Sequence, residues 1–169
     1  GFSIPSSAII KGIVLGVERK SDSTNNGGSN DSAVRIVKSG AIGSTNKSTA
    51  TTYTTTDTYE DHGNSSDLWG ETWTADDINS ADFGAAVAVT KPNAAGQPHT
   101  VSIDHIRITV YYNNPPVAEE QNVTTDEDTD VPITLTGSDT DGTITSYNIE
   151  TMPTHGVLSG TPPDITYTP

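Results

Sequence analysis

Residues 101–112 read Val101-Ser102-Ile103-Asp104-His105-Ile106-Arg107-Ile108-Thr109-Val110-Tyr111-Tyr112. Apolar and polar side chains alternate along this run, the period of a strand with one buried face. β-branched and aromatic residues dominate it, and these suit a pleated, half-buried surface. The phase slips once. Val101 and Ile103 are odd-numbered, whereas Ile106, Ile108 and Val110 are even-numbered. Two readings account for the slip: a β-bulge near Asp104-His105, or a strand that starts at Ile106.

The same period recurs elsewhere. Ile13, Leu15 and Val17 share one face, with Val14 and Glu18 on the other. Val34 and Ile36 alternate with Arg35 and Val37, and Ala85, Val87 and Val89 alternate with alanines and Thr90. Later, Val131, Ile133 and Leu135 form a strand face, and 144–150 and 165–167 read as further strands. Pro153, Gly156 and Gly160-Thr161-Pro162-Pro163 mark turns between them. Segments 21–30 and 57–67 offer almost nothing to bury and read as exposed loops, the first a mobile tip. One helical turn is expected near 75–79, with Thr74 as its cap and Asp76 and Asp77 beside its N-terminal dipole.

Composition agrees with an all-β chain. Leu, Ile, Val and Phe make up only about 19% of 169 residues, a range shared with disordered chains. Yet Ile, Val and Thr together number 53, while Leu numbers four, which favours strands over helical cores. There is no cysteine, which excludes a disulfide framework, thiol catalysis and thiolate zinc sites. No apolar run of about 18 residues is present to span a membrane as a helix. The chain begins at Gly1 rather than Met, so a processed protein or a fragment is expected.

The net charge of −14 argues against nucleic acid and anionic membranes as partners, because both need basic patches. That charge is uneven. Residues 1–113 hold 12 acids and all eight bases, whereas residues 114–169 hold 10 acids and no base. The step coincides with Asn113-Asn114-Pro115-Pro116, whose prolines disfavour a central strand or helix. A domain boundary is therefore expected there, separating 1–113 from 114–169.

Catalysis finds no foothold: there is no Gly-x-Ser-x-Gly, phosphate loop or dinucleotide fingerprint. His62, His99, His105 and His155 are scattered, without metal-ligand spacing. His62 is expected to be a solvated loop residue near Glu60 and Asp61. His155 sits in a Pro-x-His-Gly turn, where a backbone contact is expected. Four Asn-x-Ser/Thr sequons, at Asn30, Asn46, Asn64 and Asn122, are about what chance gives in a chain this rich in Ser and Thr.

Two resemblances add to this reading. Gly1-Phe2-Ser3-Ile4-Pro5-Ser6, Gly12-Ile13, Val17-Glu18-Arg19-Lys20, Ser66-Asp67-Leu68-Trp69-Gly70, Trp73-Thr74, Phe83-Gly84 and the run 102–112 resemble a jelly-roll β-sandwich domain of bacterial surface and phage-associated proteins. Asn114-Pro115-Pro116-Val117-Ala118, Thr125-Asp126-Glu127-Asp128-Thr129, Val131-Pro132-Ile133-Thr134-Leu135, Asp139-Thr140-Asp141-Gly142, Pro153-Thr154-His155-Gly156 and Tyr167-Thr168-Pro169 are similar to bacterial Ig-like, cadherin-like repeats of large adhesins. Such repeats usually continue into a further closing segment. The second module is thus expected to be incomplete at its C-terminus.

The second resemblance implies calcium. Asp139 and Asp141 flank an extended turn, with Glu127 as a third carboxylate and Asn114 from the linker. A divalent cation relieves the repulsion of acids that have no base to pair with, although the same acids also serve simply as a solvated face. An EF-hand is unsupported, because Ile144 occupies its glycine position. Jelly rolls also serve as lectins, and Trp69, Trp73, Tyr53 and Tyr59 are the candidate sugar-stacking residues. Trp69 and Trp73 lie four apart, so strand alternation puts them on one face, an arrangement more often core than platform.

The expected architecture is two tandem antiparallel β-sandwiches. The expected function is that of a non-catalytic structural or adhesive module, secreted or at a cell surface. Its expected partners are other domains of the same protein or neighbouring copies of itself. A filament subunit assembled by strand donation and a carbohydrate-binding module that takes surface glycans are the alternatives.

Overall fold

A computed structural model describes residues 1–24, 28–91 and 100–169. His99 and the centre of the 21–30 segment lie outside the described residues. The chain is all-β, its sheets antiparallel, with one short helix among the described residues. It divides into two compact units, Gly1–Asn113 and Asn114–Pro169.

The first unit contains β1 (Ile9–Ser21), β2 (Asn30–Lys38), β3 (Ala41–Ile42), β4 (Thr58–Asn64), α1 (Ala75–Asn79), β5 (Gly84–Thr90) and β6 (Val101–Asn113). One sheet has the order β4-β1-β6 and the other β3-β2-β5. β1 is central to the first sheet, and its row Ile13, Leu15 and Val17 is fully buried. These residues form one cluster with Val34 and Ile36 of β2, with Ala75 and Ile78 of α1, and with Trp69. Each such aliphatic residue contributes about 1.5–3 kcal/mol by burial.

The bulge reading of residues 101–112 is the one the structure adopts. Glu18 pairs with His105 and Arg19 with Ile103, which leaves Asp104 as the extra residue of β6. Another irregularity, in β2, falls between Asp31 and Ala33. It brings Asp31 onto the inward row of Val34 and Ile36, although simple alternation from Val34 puts it outside. The helix appears where Thr74 and the acids place it. Thr74 Oγ1 accepts the Asp77 N–H at 3.1 Å, and the Asp77 carboxylate accepts the Thr74 N–H at 2.9 Å, a reciprocal cap.

Residues 57–67 correct the sequence reading. Most of that supposed loop is β4, which pairs with β1 from Ile13↔Asn64 to Arg19↔Thr58. It escapes pattern reading because the row that faces the interior through His62 and Glu60 runs Thr58, Glu60, His62, Asn64, exposed at both ends and with no apolar residue to mark the period.

The second unit contains β7 (Val117–Ala118), β8 (Val131–Thr134), β9 (Gly137–Ser138), β10 (Val157–Thr161) and β11 (Asp164–Thr168). β10, β11 and β8 form one sheet in that order, and β7 pairs with β9. The segment 144–150 is not part of any sheet, contrary to its alternation. Ile165 is the buried hydrophobic residue of this unit. An open cleft of about 360 Å³ runs beside β7 and β9, lined among others by Val117, Gly137, Ile144 and Tyr147.

Candidate functional site

The inward row of β1 does not stop at Val17. Arg19 and Ser21 continue it, and both are buried. A buried guanidinium needs an opposite charge and full hydrogen bonding. Asp31 supplies the charge: Arg19 Nη1 donates to Asp31 Oδ2, with both side chains at most 3% exposed. The other carboxylate oxygen accepts the Tyr53 hydroxyl at 2.7 Å. The guanidinium lies 4.6 Å from the centre of the Tyr53 ring, a cation–π contact out of water. Burial, and then the hydrogen bond to Asp31, push the Tyr53 phenol well above its ordinary range, so it stays a donor. Glu60 on β4 stands 3.5 Å from Arg19 Nη2 at the edge of the cluster.

His62 completes the group. It is not the solvated loop residue expected from its neighbours; its side chain is 1% exposed and lies on the inward row of β4, opposite Leu15. Nδ1 is 2.8 Å from the Lys47 carbonyl oxygen. A carbonyl cannot donate, so Nδ1 carries the hydrogen. Nε2 is buried, has no hydrogen-bond partner, and lies 3.7 Å from Asp31 Oδ2. Arg19, Asp31, Tyr53 and His62 are drawn from two strands of one sheet, one strand of the other and the intervening loop. Their sequence separations gave no signal of this meeting. The nearest clue was a charged residue, Arg19, at the buried phase of the strongest strand.

The sugar-stacking candidates separate. Trp69 and Trp73 lie between β4 and α1, not on a strand, so the alternation argument does not apply to them. Trp69 is 2% exposed, and its Nε1–H donates to the Ile13 carbonyl at 2.9 Å. Trp73 packs edge-on against Phe83, and its Nε1–H donates to Leu68 O. Trp69 and Tyr53 are buried, which leaves neither ring open to a sugar, whereas Trp73 is partly exposed. Tyr59 is exposed on the outer face of the β4-β1-β6 sheet. Its hydroxyl is 2.8 Å from His105 Nδ1, and the Arg107 guanidinium lies 4.8 Å from the centre of its ring.

The calcium candidates meet in part. The Asp141 carboxylate accepts the Asn114 N–H and the Asn114 side-chain Nδ2–H, each at 2.9 Å. Asp139 Oδ1 accepts the Asp141 N–H at 3.2 Å. The Glu127 side chain is exposed and joins none of these bonds. Calcium needs six to eight oxygens. Here Asn114 turns nitrogen toward Asp141, and no three Asp, Glu or His side chains among the described residues stand close enough to share an ion. As arranged, the set does not fit calcium. In the turn that holds His155, its main-chain carbonyl accepts the Tyr167 hydroxyl at 3.1 Å, a contact that does not involve the imidazole.

Residues 113–169 match the family model of the bacterial Ig domain, which is about a third of the chain. No curated protein and no solved structure matches the chain. The second unit is thus similar to an Ig domain, in keeping with its short antiparallel strands. No helix among the described residues is long and apolar enough to cross a membrane.

Proposed function

We propose that the chain is a structural or adhesive module of a bacterial secreted or cell-surface protein. The match of residues 113–169 to the bacterial Ig domain carries this reading, because that domain usually serves as a non-catalytic extracellular building block. The first unit supports it in kind. Its two three-stranded antiparallel sheets share one apolar core, and Arg19, Asp31 and Tyr53 are buried against one another beside it. The test is antibody labelling of intact cells that carry the parent protein. Surface labelling without lysis is the expected result. An epitope reached only after lysis would overturn the assignment.

A further inference from the structure

We propose that His62 is a proton-operated lock of the first unit. Uptake of a proton at Nε2 turns its 3.7 Å approach to Asp31 Oδ2 into an ion pair and ties β4 to β2 across the core. Three observations meet at this one atom. Nδ1 is committed to the Lys47 carbonyl, so a second proton has only Nε2 to go to. Nε2 is buried without a hydrogen-bond partner, an arrangement that folded proteins rarely leave in place. The groups around it also leave room for positive charge. From β1 comes the Arg19 cation, from β2 the Asp31 carboxylate, from β4 the Glu60 carboxylate, and from the preceding loop the neutral Tyr53 hydroxyl. With a neutral imidazole the cluster carries one uncompensated negative charge. With an imidazolium it is balanced.

The balanced pair exists only in the folded chain, so proton uptake is linked to folding. Stability gained this way is present on the acid side and is lost as the solution becomes alkaline.

The test uses the full chain, as wild type and as His62→Gln. Long-range nitrogen NMR follows the His62 ring from about pH 8 to about pH 5.5, and thermal melting is recorded over the same range. Nε2 is expected to move to its protonated signal. The melting-temperature advantage of wild type over His62→Gln should widen toward acid by on the order of 5 °C. An Nε2 signal that stays unprotonated overturns the proposal, and so does an advantage that stays flat. Should His62→Gln fail to fold, hydrogen exchange on wild type decides. Amides of β1, β2 and β4, corrected for intrinsic exchange, should slow about fivefold on acidification. Unchanged protection overturns the lock.

Discussion

Arg19 and Asp31 face each other in the interior of the first unit, one on each of its sheets, with neither side chain more than 3% exposed. Removing one member leaves a buried charge without its partner. Arg19→Met is expected to cost about 3–5 kcal/mol. Replacing both with apolar residues should recover part of that loss, because the desolvation of both charges disappears together. Urea unfolding of the two single variants and the double variant measures the coupling. Strictly additive losses would show that the pair does not act as one element.

Trp69 is a core residue, so its removal is a stability event. Trp69→Ala should cost about 3–5 kcal/mol. Trp69→Phe retains most of the packing but leaves the Ile13 carbonyl without its donor, at a cost of roughly 1–3 kcal/mol. Thermal melts of both variants test this order. A Trp69→Ala protein with unchanged melting would place the ring outside the core.

Gly63 lies directly beneath that ring, at φ 84°. A Cβ there would stand 2.4 Å from the Ile13 carbonyl oxygen and 3.0 Å from Trp69 Nε1. Gly63→Ala therefore combines backbone strain with a backbone clash, and a loss of at least ~1 kcal/mol is expected. Gly40 is also at positive φ but has nothing near its missing Cβ, so Gly40→Ala should lose only the strain component. Comparing the two by chemical unfolding separates clash from strain.

Asp77 holds the helix cap. The Thr74 N–H, opposed by burial and helped by the Thr74 hydroxyl and Lys38, keeps its carboxyl below the ordinary carboxylate range. A depressed carboxyl stabilises the fold above its unfolded value, and that contribution is lost as pH falls through the folded value. Wild type should therefore melt above Asp77→Asn near neutrality, and the gap should close toward about pH 2. A gap that persists in acid would assign the difference to shape and not to charge. Thr74→Ala should cost about 1 kcal/mol.

In the second unit, Asp141→Ala releases the Asn114 N–H. Hydrogen exchange at that amide should accelerate in the variant. Adding calcium to wild type should leave it unchanged, since no three Asp, Glu or His side chains among the described residues stand close enough to share an ion. Slower exchange with calcium would show the acids regrouping around an ion.

How much of this was legible in the sequence depends on what each residue had to signal. The Ile13, Leu15 and Val17 row could be read because burial of aliphatic groups imposes the strand period directly. The phase slip near Asp104 located an extra residue for the same reason, and Thr74 with Asp77 carried a helix cap in four letters. β4 was invisible because its inward row interacts through charge and hydrogen bonds, which leave no hydrophobic period. Residues 144–150 failed the opposite way. Alternation states what a segment can bury, but a strand also needs a neighbour to pair with. The buried cluster around Asp31 was beyond reach, since Asp31 turns inward only through the irregularity beside it and His62 only through β4.

The polar inward row of β4 also bears on how such units tolerate crowding. β4 and β6 are the two margins of their sheet, and an unpaired margin is a template on which foreign strands can grow. Any strand that docked beside β4 would have to lay its own apolar row against Glu60 and His62. On β6, the extra residue at Asp104 breaks the regular spacing of backbone donors and acceptors. Both margins of this sheet are therefore poor templates for regular strand addition, one for want of an apolar row and the other for want of regular spacing.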